Sequence, residues 1–331
     1  MKPYVVPVPL GCCPTPPRCL LCPPVETVSP EVVAALAEVG RASCPNDASA
    51  IVRFFGGAPP CPAQVHALGG MPFEVRVRPD LLSRREASRL ADAGCRAVEL
   101  DALTFHDAAL KAVGRAYSGA SLRRQRDGLT ALGFEVGGVL APGLPASRYE
   151  DALQDAQEAA AQWSFVRIHP VLVLDRSALR GLHEHQWYTP LTLQEAVETC
   201  DAMLAVLETA GVVVRRVGLQ PGQDGMGRAV AGPHDPGFRE RVEERRALRA
   251  LLHALRDVPA GSDVEVRCAP SDIGRLRGRA GVNLRTARAR THLAELRIVA
   301  DRSLVRPAFT VTIEGGAPAA TALGGTTPQE P

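Results

Sequence analysis

Short apolar runs and longer amphipathic stretches alternate along the first two-thirds of this chain, and that alternation leaves few folds open. Apolar runs lie at Val5–Leu10, Ile51–Phe55, Phe73–Val77, Ala97–Leu100, Phe134–Leu140, Phe165–Val173 and Val212–Leu219. Between them the pattern predicts helices over Pro30–Gly40, Ala63–Gly69, Leu81–Ala93, Leu122–Leu132, Tyr149–Trp163 and Leu193–Ala210. Gly94, Gly133 and Gly211 stand where a helix should stop before the next strand. Strand, helix and strand in succession force parallel pairing with helices outside the sheet. Six or seven such units predict an α/β chain built on a partial (β/α) TIM-like barrel, with its working face at the C-terminal ends of the strands.

The first apolar run leads into a loop dense in sulfur. Cys13, Cys19 and Cys22 fall in the stretch Gly11-Cys12-Cys13-Pro14-Thr15-Pro16-Pro17-Arg18-Cys19-Leu20-Leu21-Cys22. Three thiolates on one loop can hold three irons of a [4Fe–4S] cluster and leave the fourth open to a ligand. Structural zinc ordinarily closes with four ligands, and no second Cys-x-x-Cys or His pair offers them. A redox Cys-x-x-Cys normally opens a helix, whereas Pro23 and Pro24 follow Cys22 at once and oppose one. Zinc and redox chemistry stay open at this point, but the residues favour an iron–sulfur loop. Lying after the first strand, it falls on the expected working face.

With 331 residues the chain can bury a large core. Its 46% apolar and 22% charged content is that of a soluble globular protein. No run of about 18 apolar residues offers a membrane span, and the proline-broken N-terminal run makes no secretory signal. Nine cysteines, an odd number, argue against a disulfide framework and for a reducing, cytoplasmic setting with metal-binding thiols. Cys44, Cys61, Cys95, Cys200 and Cys268 read as scattered core or surface residues. The net charge of +2 conceals an acidic stretch from Glu150 to Asp201 and an arginine-rich one from Arg239 to Arg302. The latter suits a polyanionic partner.

An arginine-dense helix over Pro236–Leu255 leads to a linker, Pro259-Ala260-Gly261-Ser262. Domain bounds are read as 1–242 for the barrel, 243–313 for a small basic α+β extension, and 314–331 for a tail expected to be disordered. Val264–Ile298 predicts strand, turn, helix and strand, with Gly278-Arg279-Ala280-Gly281 at the turn. That turn resembles the Gly-x-x-Gly loop of KH-type RNA-binding modules. The resemblance implies that Gly278 and Gly281 let backbone amides clamp a nucleotide backbone. Arg275, Arg277, Arg279, Arg285, Arg288 and Arg290 would then contact phosphates, and binding should weaken steeply with salt. The plainer alternative is an extension packed on the barrel with solvated arginines.

A longer series of motifs runs from Tyr4 to about Arg241. After the cysteine loop come Phe54-Phe55-Gly56-Gly57, Val75-Arg76-Val77-Arg78-Pro79-Asp80, Ala97-Val98-Glu99-Leu100 and Gly114-Arg115. Gly133-Phe134-Glu135-Val136-Gly137, Pro142-Gly143-Leu144-Pro145, and Val166-Arg167-Ile168-His169-Pro170 follow. Tyr188-Thr189-Pro190-Leu191, Arg216-Val217-Gly218-Leu219-Gln220-Pro221 and Val230-Ala231-Gly232-Pro233-His234 complete the series. This order resembles the radical S-adenosylmethionine (SAM) superfamily, and within it bacterial proteins similar to the catalytic subunit of Elongator.

The resemblance implies two cofactors, a [4Fe–4S] cluster and S-adenosyl-L-methionine. In the family one electron from the cluster breaks a carbon–sulfur bond, and the resulting 5′-deoxyadenosyl radical takes hydrogen from the substrate. Residue by residue, Cys19 and Cys22 fall on the second and third cluster ligands and Cys13 on the first, with Cys12 as fallback. Gly56 and Gly57 fall on the turn whose backbone binds the methionine amino group. Arg78 becomes a partner for the cofactor carboxylate or the substrate, against the alternative of a solvated strand-end arginine. The resemblance also implies transfer RNA as substrate and a reducing electron-donor protein. Too few residues follow the basic helix for an acetyltransferase domain, so the chain would lack that half of the chemistry, have a separate acyltransferase partner supply it, or do something else.

The sequence departs from the family pattern in three places. Five residues rather than three separate Cys13 from Cys19, and Thr15 takes the usual ligand position. Ala58-Pro59-Pro60 replaces a usual Ser-Phe-Thr, and Asp101-Ala102-Leu103-Thr104 replaces Gly-Val-Gln-Ser. The second expectation is therefore a catalytically inactive barrel serving as an RNA-binding protein. His169, at a strand end on the working face, allows a substrate contact against the plainer reading of a residue without a role, and His183 and His185 are too poorly spaced on a helix for a metal pair. Trp187 and Tyr188 are expected to pack against the barrel, Asp80 to cap a helix, and His234 to line a pocket.

Overall fold

The computed structural model describes residues 3–10, 19–21, 27–45, 49–219 and 227–313, with the backbone of Ala319–Ala322. It forms two units, one of Met1–Thr199 with Val206–Pro236, the other of Cys200–Ala205 with Gly237–Pro331. The first unit opens with β1 (Tyr4–Pro9), α1 (Pro30–Ser43), β2 (Ala50–Phe55), α2 (Pro62–His66), β3 (Phe73–Val77), α3 (Arg84–Asp92) and β4 (Cys95–Leu103). There follow α4 (Asp107–Ala112), α5 (Gly119–Ala131), β5 (Glu135–Leu140), α6 (Tyr149–Ala160), β6 (Phe165–Ile168) and β7 (Val173–Leu174). Next are α7 (Leu179–Glu184), α8 (Leu193–Thr209), β8 (Val213–Val217) and β9 (Ala229–Ala231).

All seven apolar runs become strands of one sheet, ordered β1-β2-β3-β4-β5-β6-β8 and parallel throughout. Gly94, Gly133 and Gly211 have φ of 81°, 85° and 74° just past their helices, the left-handed geometry that a helix stop requires. The short helices α4 and α7 lie where the periodicity predicts none.

The sheet curls into a half-barrel. Arg215 on β8 pairs with Glu74 on β3 at 2.8 Å, although β4, β5 and β6 lie between those strands. In a flat sheet strands four places apart would be roughly 19 Å away from each other. Gly137 clears the space inside: a Cβ there would lie 2.4 Å from the Phe165 ring, over which the Arg215 guanidinium sits at 3.3 Å. Among the described residues no helix is long and apolar enough to cross a membrane.

The second unit contains α9 (Phe238–Ala254), β10 (Asp263–Cys268), α10 (Ile273–Arg277), α11 (Val282–Thr291), β11 (Glu295–Ala300), β12 (Ala308–Ile313) and β13 (Ala319–Ala322). Its sheet runs β11-β10-β12-β13, with β10 parallel to β11 and antiparallel to β12. Ala247, Leu251 and Leu255 of the α9 segment bury among Val264, Val266, Leu276, Ile298 and Phe309, so that segment shares the core of this unit. One helix is predicted here and two form, parted by the glycine turn. Ala319–Ala322 pair antiparallel with the edge of β12. The rest of 314–331 lies outside the described residues.

Candidate functional site

At the C-terminal ends of the strands the chain segment Cys19–Leu21 is held down at both sides. Leu20 N–H donates to the Val113 carbonyl at 3.3 Å, and its own carbonyl accepts from Leu179 N–H at 2.9 Å. Leu20 and Leu21 pack on Leu103, Val113, Leu179 and Tyr188. Cys19 is thereby buried, with 3% exposed, and its Sγ accepts the Leu21 N–H at 3.4 Å. The other two expected ligands, Cys13 and Cys22, and the fallback Cys12, lie outside the described residues.

Gly56 and Gly57 follow β2 on the same face. A Cβ on Gly56 would lie 2.2 Å from the Leu10 carbonyl oxygen, so glycine is what lets the end of β1 close on β2. The Gly57 carbonyl accepts the Arg78 N–H at 2.9 Å, which brings the two predicted cofactor positions together. Arg78 is not a solvated strand-end residue: it is 2% exposed, and its Nε donates to Asp80 at 2.9 Å. Asp80 is thus a partner of Arg78, while Ser83 caps the next helix by accepting Glu86 N–H.

Behind this rim the lumen is charged, a feature the motif reading missed. Arg76 and Arg115 both donate to Asp101, at 2.7 and 2.8 Å, and Arg167 donates to Glu99 at 2.7 Å. Arg53 and Arg215 share Glu74 deeper in. Burial alone would raise the Asp101 carboxyl, but the two guanidiniums outweigh it and hold it far below the usual carboxylate range. The signal was available, because Glu74/Arg76, Glu99/Asp101 and Arg167/His169 recur at period two within otherwise apolar strands, placing each pair on one face. A bulge in β4 aims Asp101, with Leu103 at φ 65° and the Asp101 and Ala102 carbonyls both taken by Tyr117 Oη at 3.0 and 3.1 Å. The Asp101–Thr104 stretch that departs from the family pattern is therefore a built part of the lumen.

Beyond the bulge, Asp155 on α6 accepts Phe105 N–H at 2.7 Å and ties the loop after β4 to that helix. Burial pushes its carboxyl up to about 7, against the lowering effect of the Phe105 N–H and the Thr104 hydroxyl. Unfolded, the same group titrates near 3.9, so the folded chain binds the extra proton and stability falls as pH rises from about 4 to about 7. Asp155→Asn should flatten that decline. Urea midpoints near pH 5 and near pH 8 check it, and equal slopes for variant and wild type would contradict the assignment.

His183 Nδ1 lies 3.2 Å from the Tyr188 carbonyl oxygen and His185 Nδ1 2.8 Å from that of Gly181. Tyr188 is buried as expected, but Trp187 is 77% exposed, because Gln186 turns the chain outward at φ 62°.

In the second unit Gly278 and Gly281 have φ of 68° and 72°. A Cβ on Gly278 would meet Asn283 at 2.8 Å, and Asn283 Nδ2 donates to the Glu244 and Arg275 carbonyls at 2.7 and 2.9 Å. The turn is therefore anchored from below while Arg277 and Arg279 are exposed on it. Arg275 lies 3.3 Å from Asp272, Arg277 donates to the Ile298 carbonyl at 3.2 Å, and Arg279 lies 4.0 Å from Glu244.

Residues 163–247 match the family model described as the Radical_SAM C-terminal domain. The chain superposes on an N-terminally truncated Elp3 of the archaeon Methanocaldococcus infernus with a TM-score of 0.58 and 17% identity, over 75% of this chain and 64% of that one. The fold is that of the radical SAM enzymes. HydG, a maturase of the [FeFe]-hydrogenase, has a TM-score of 0.50 at 12% identity, over 72% of this chain and 54% of that one. No curated protein matches the sequence. The matched radical SAM C-terminal domain begins at Trp163, so it takes in β6, Arg167, His169 and α8.

Proposed function

We propose that this chain is a radical SAM enzyme that holds a [4Fe–4S] cluster through Cys13, Cys19 and Cys22, cleaves S-adenosyl-L-methionine reductively, and acts on RNA. One observation carries the reading: Cys19 is buried at the mouth of the half-barrel, above a lumen of fixed charges. Its donor set suits the cluster, since a sulfur that already accepts a backbone N–H is in the setting that tunes iron–sulfur thiolates. When bound, the two cofactors supply an electron and a carbon radical able to take hydrogen from a substrate. The chain's own residues do the rest. Gly56 and Gly57 shape the turn at the end of β2, and Arg78, oriented by Asp80, provides a fixed cation beside it. Leu21, Leu103, Val171 and Leu172 wall the lumen and keep water from a reactive centre. A protein electron donor and a separate acyltransferase belong to the same proposal.

Anaerobic reconstitution with iron and sulfide, then reduction in the presence of S-adenosyl-L-methionine, should yield 5′-deoxyadenosine. A fully loaded cluster without any cleavage would sink the enzyme reading and leave the second one, an RNA-binding protein on an inactive barrel. RNA is favoured by the anchored glycine turn with its exposed arginines. Arg279→Glu is expected to weaken transfer-RNA binding about tenfold and to lower the salt dependence. Filter binding at two salt concentrations reads both, and unchanged affinity would move RNA off this turn.

A further inference from the structure

His169 follows β6, with its N–H bonded to the Leu140 carbonyl at 2.8 Å and 7% of the residue exposed. Its Nε2 is buried without a hydrogen-bond partner among the described residues. Buried polar nitrogens are nearly always satisfied, so an orphan on a residue that borders a cavity marks a missing partner. His169 lines a cavity of about 60 Å³ together with Arg76, Asp101, Arg115, Leu103 and Val171. Burial first, then the positive charges of Arg76, Arg167 and Arg216, keep the imidazole neutral at ordinary pH, with only Asp101 opposing. The field that drives a proton off this ring attracts an anion to it. A neutral imidazole still carries one N–H to donate. A cavity of this size has room for a small polar group.

We propose that this cavity binds the carboxylate of a small acid, distinct from the sulfonium cofactor, and that His169 donates to it through Nε2–H. The role of that acid in a reaction rests on the radical reading above, whereas the binding itself does not, so the test uses the full chain without its cluster. Acetate is the probe, with acetamide as its neutral counterpart. In long-range proton–nitrogen spectra of the labelled imidazoles near pH 7, assigned with His169→Gln, the His169 signal should show an Nε2–H tautomer that shifts saturably with acetate and not with acetamide. Acetate should also raise the melting temperature, and His169→Leu should weaken that effect about tenfold in half-saturating concentration. The proposal is overturned if the signal ignores acetate, follows acetamide equally, or moves only with S-adenosyl-L-methionine. Should the leucine variant not fold, the wild-type spectra decide alone.

Discussion

Replacing Cys19 by alanine should lower the iron held after reconstitution from about four to below about two per chain, and abolish 5′-deoxyadenosine formation. The substitution removes one sulfur and little else. Leu20 keeps its backbone bonds to Val113 and Leu179, and Leu20 and Leu21 keep their apolar seat, so the segment stays docked. Loss of one small buried side chain costs about 1 kcal/mol, too little to unfold a chain of this size. A drop in iron with an unchanged melting curve would therefore report ligation rather than collapse. Cys61→Ala, an exposed residue outside the loop, serves as the control and should leave the iron content alone. Full iron in the Cys19 variant would remove the cluster from this loop.

The second large effect is on stability. Asp101→Asn should cost about 3–5 kcal/mol, because it leaves Arg76 and Arg115 facing a neutral amide in a site that water barely reaches. The wild-type arrangement holds as long as the carboxylate is ionised, and its depressed pKa keeps it so well into the acid range. The stability it contributes is present above the unfolded value near 3.9 and is lost only as pH falls through the lower folded value. Urea unfolding near pH 7 measures the loss. A change below about 1 kcal/mol would mean that the lumen is solvated and that its ion pairs behave as surface pairs do.

Much of the architecture was legible before any coordinates. Each β-strand of the main sheet was an apolar run, and the stops of α3, α5 and α8 were glycines at the positions where left-handed backbone is needed. The short helices α4 and α7 were not legible, because a single turn or two carries no measurable period. Arg78 looked like a residue open to solvent or ligand, and only the fold brought Asp80 against it and buried both partners' contact. Trp187 looked like a packing residue, since composition favours burying indole. The outward turn at Gln186 overrode that preference.

The amino-acid order by itself determined the parallel sheet, the side of it on which Cys19 lies, and the position of a glycine turn among arginines. Those follow from local periodicity and from backbone angles that only some residues adopt. The meeting of Arg215 with Glu74, the sharing of Asp101 by Arg76 and Arg115, and the burial of His169 Nε2 without a hydrogen-bond partner among the described residues were decided by the tertiary structure alone. Curling the sheet brings together charges far apart in sequence, and the strength of an electrostatic contact depends on separation and burial, which no linear pattern encodes.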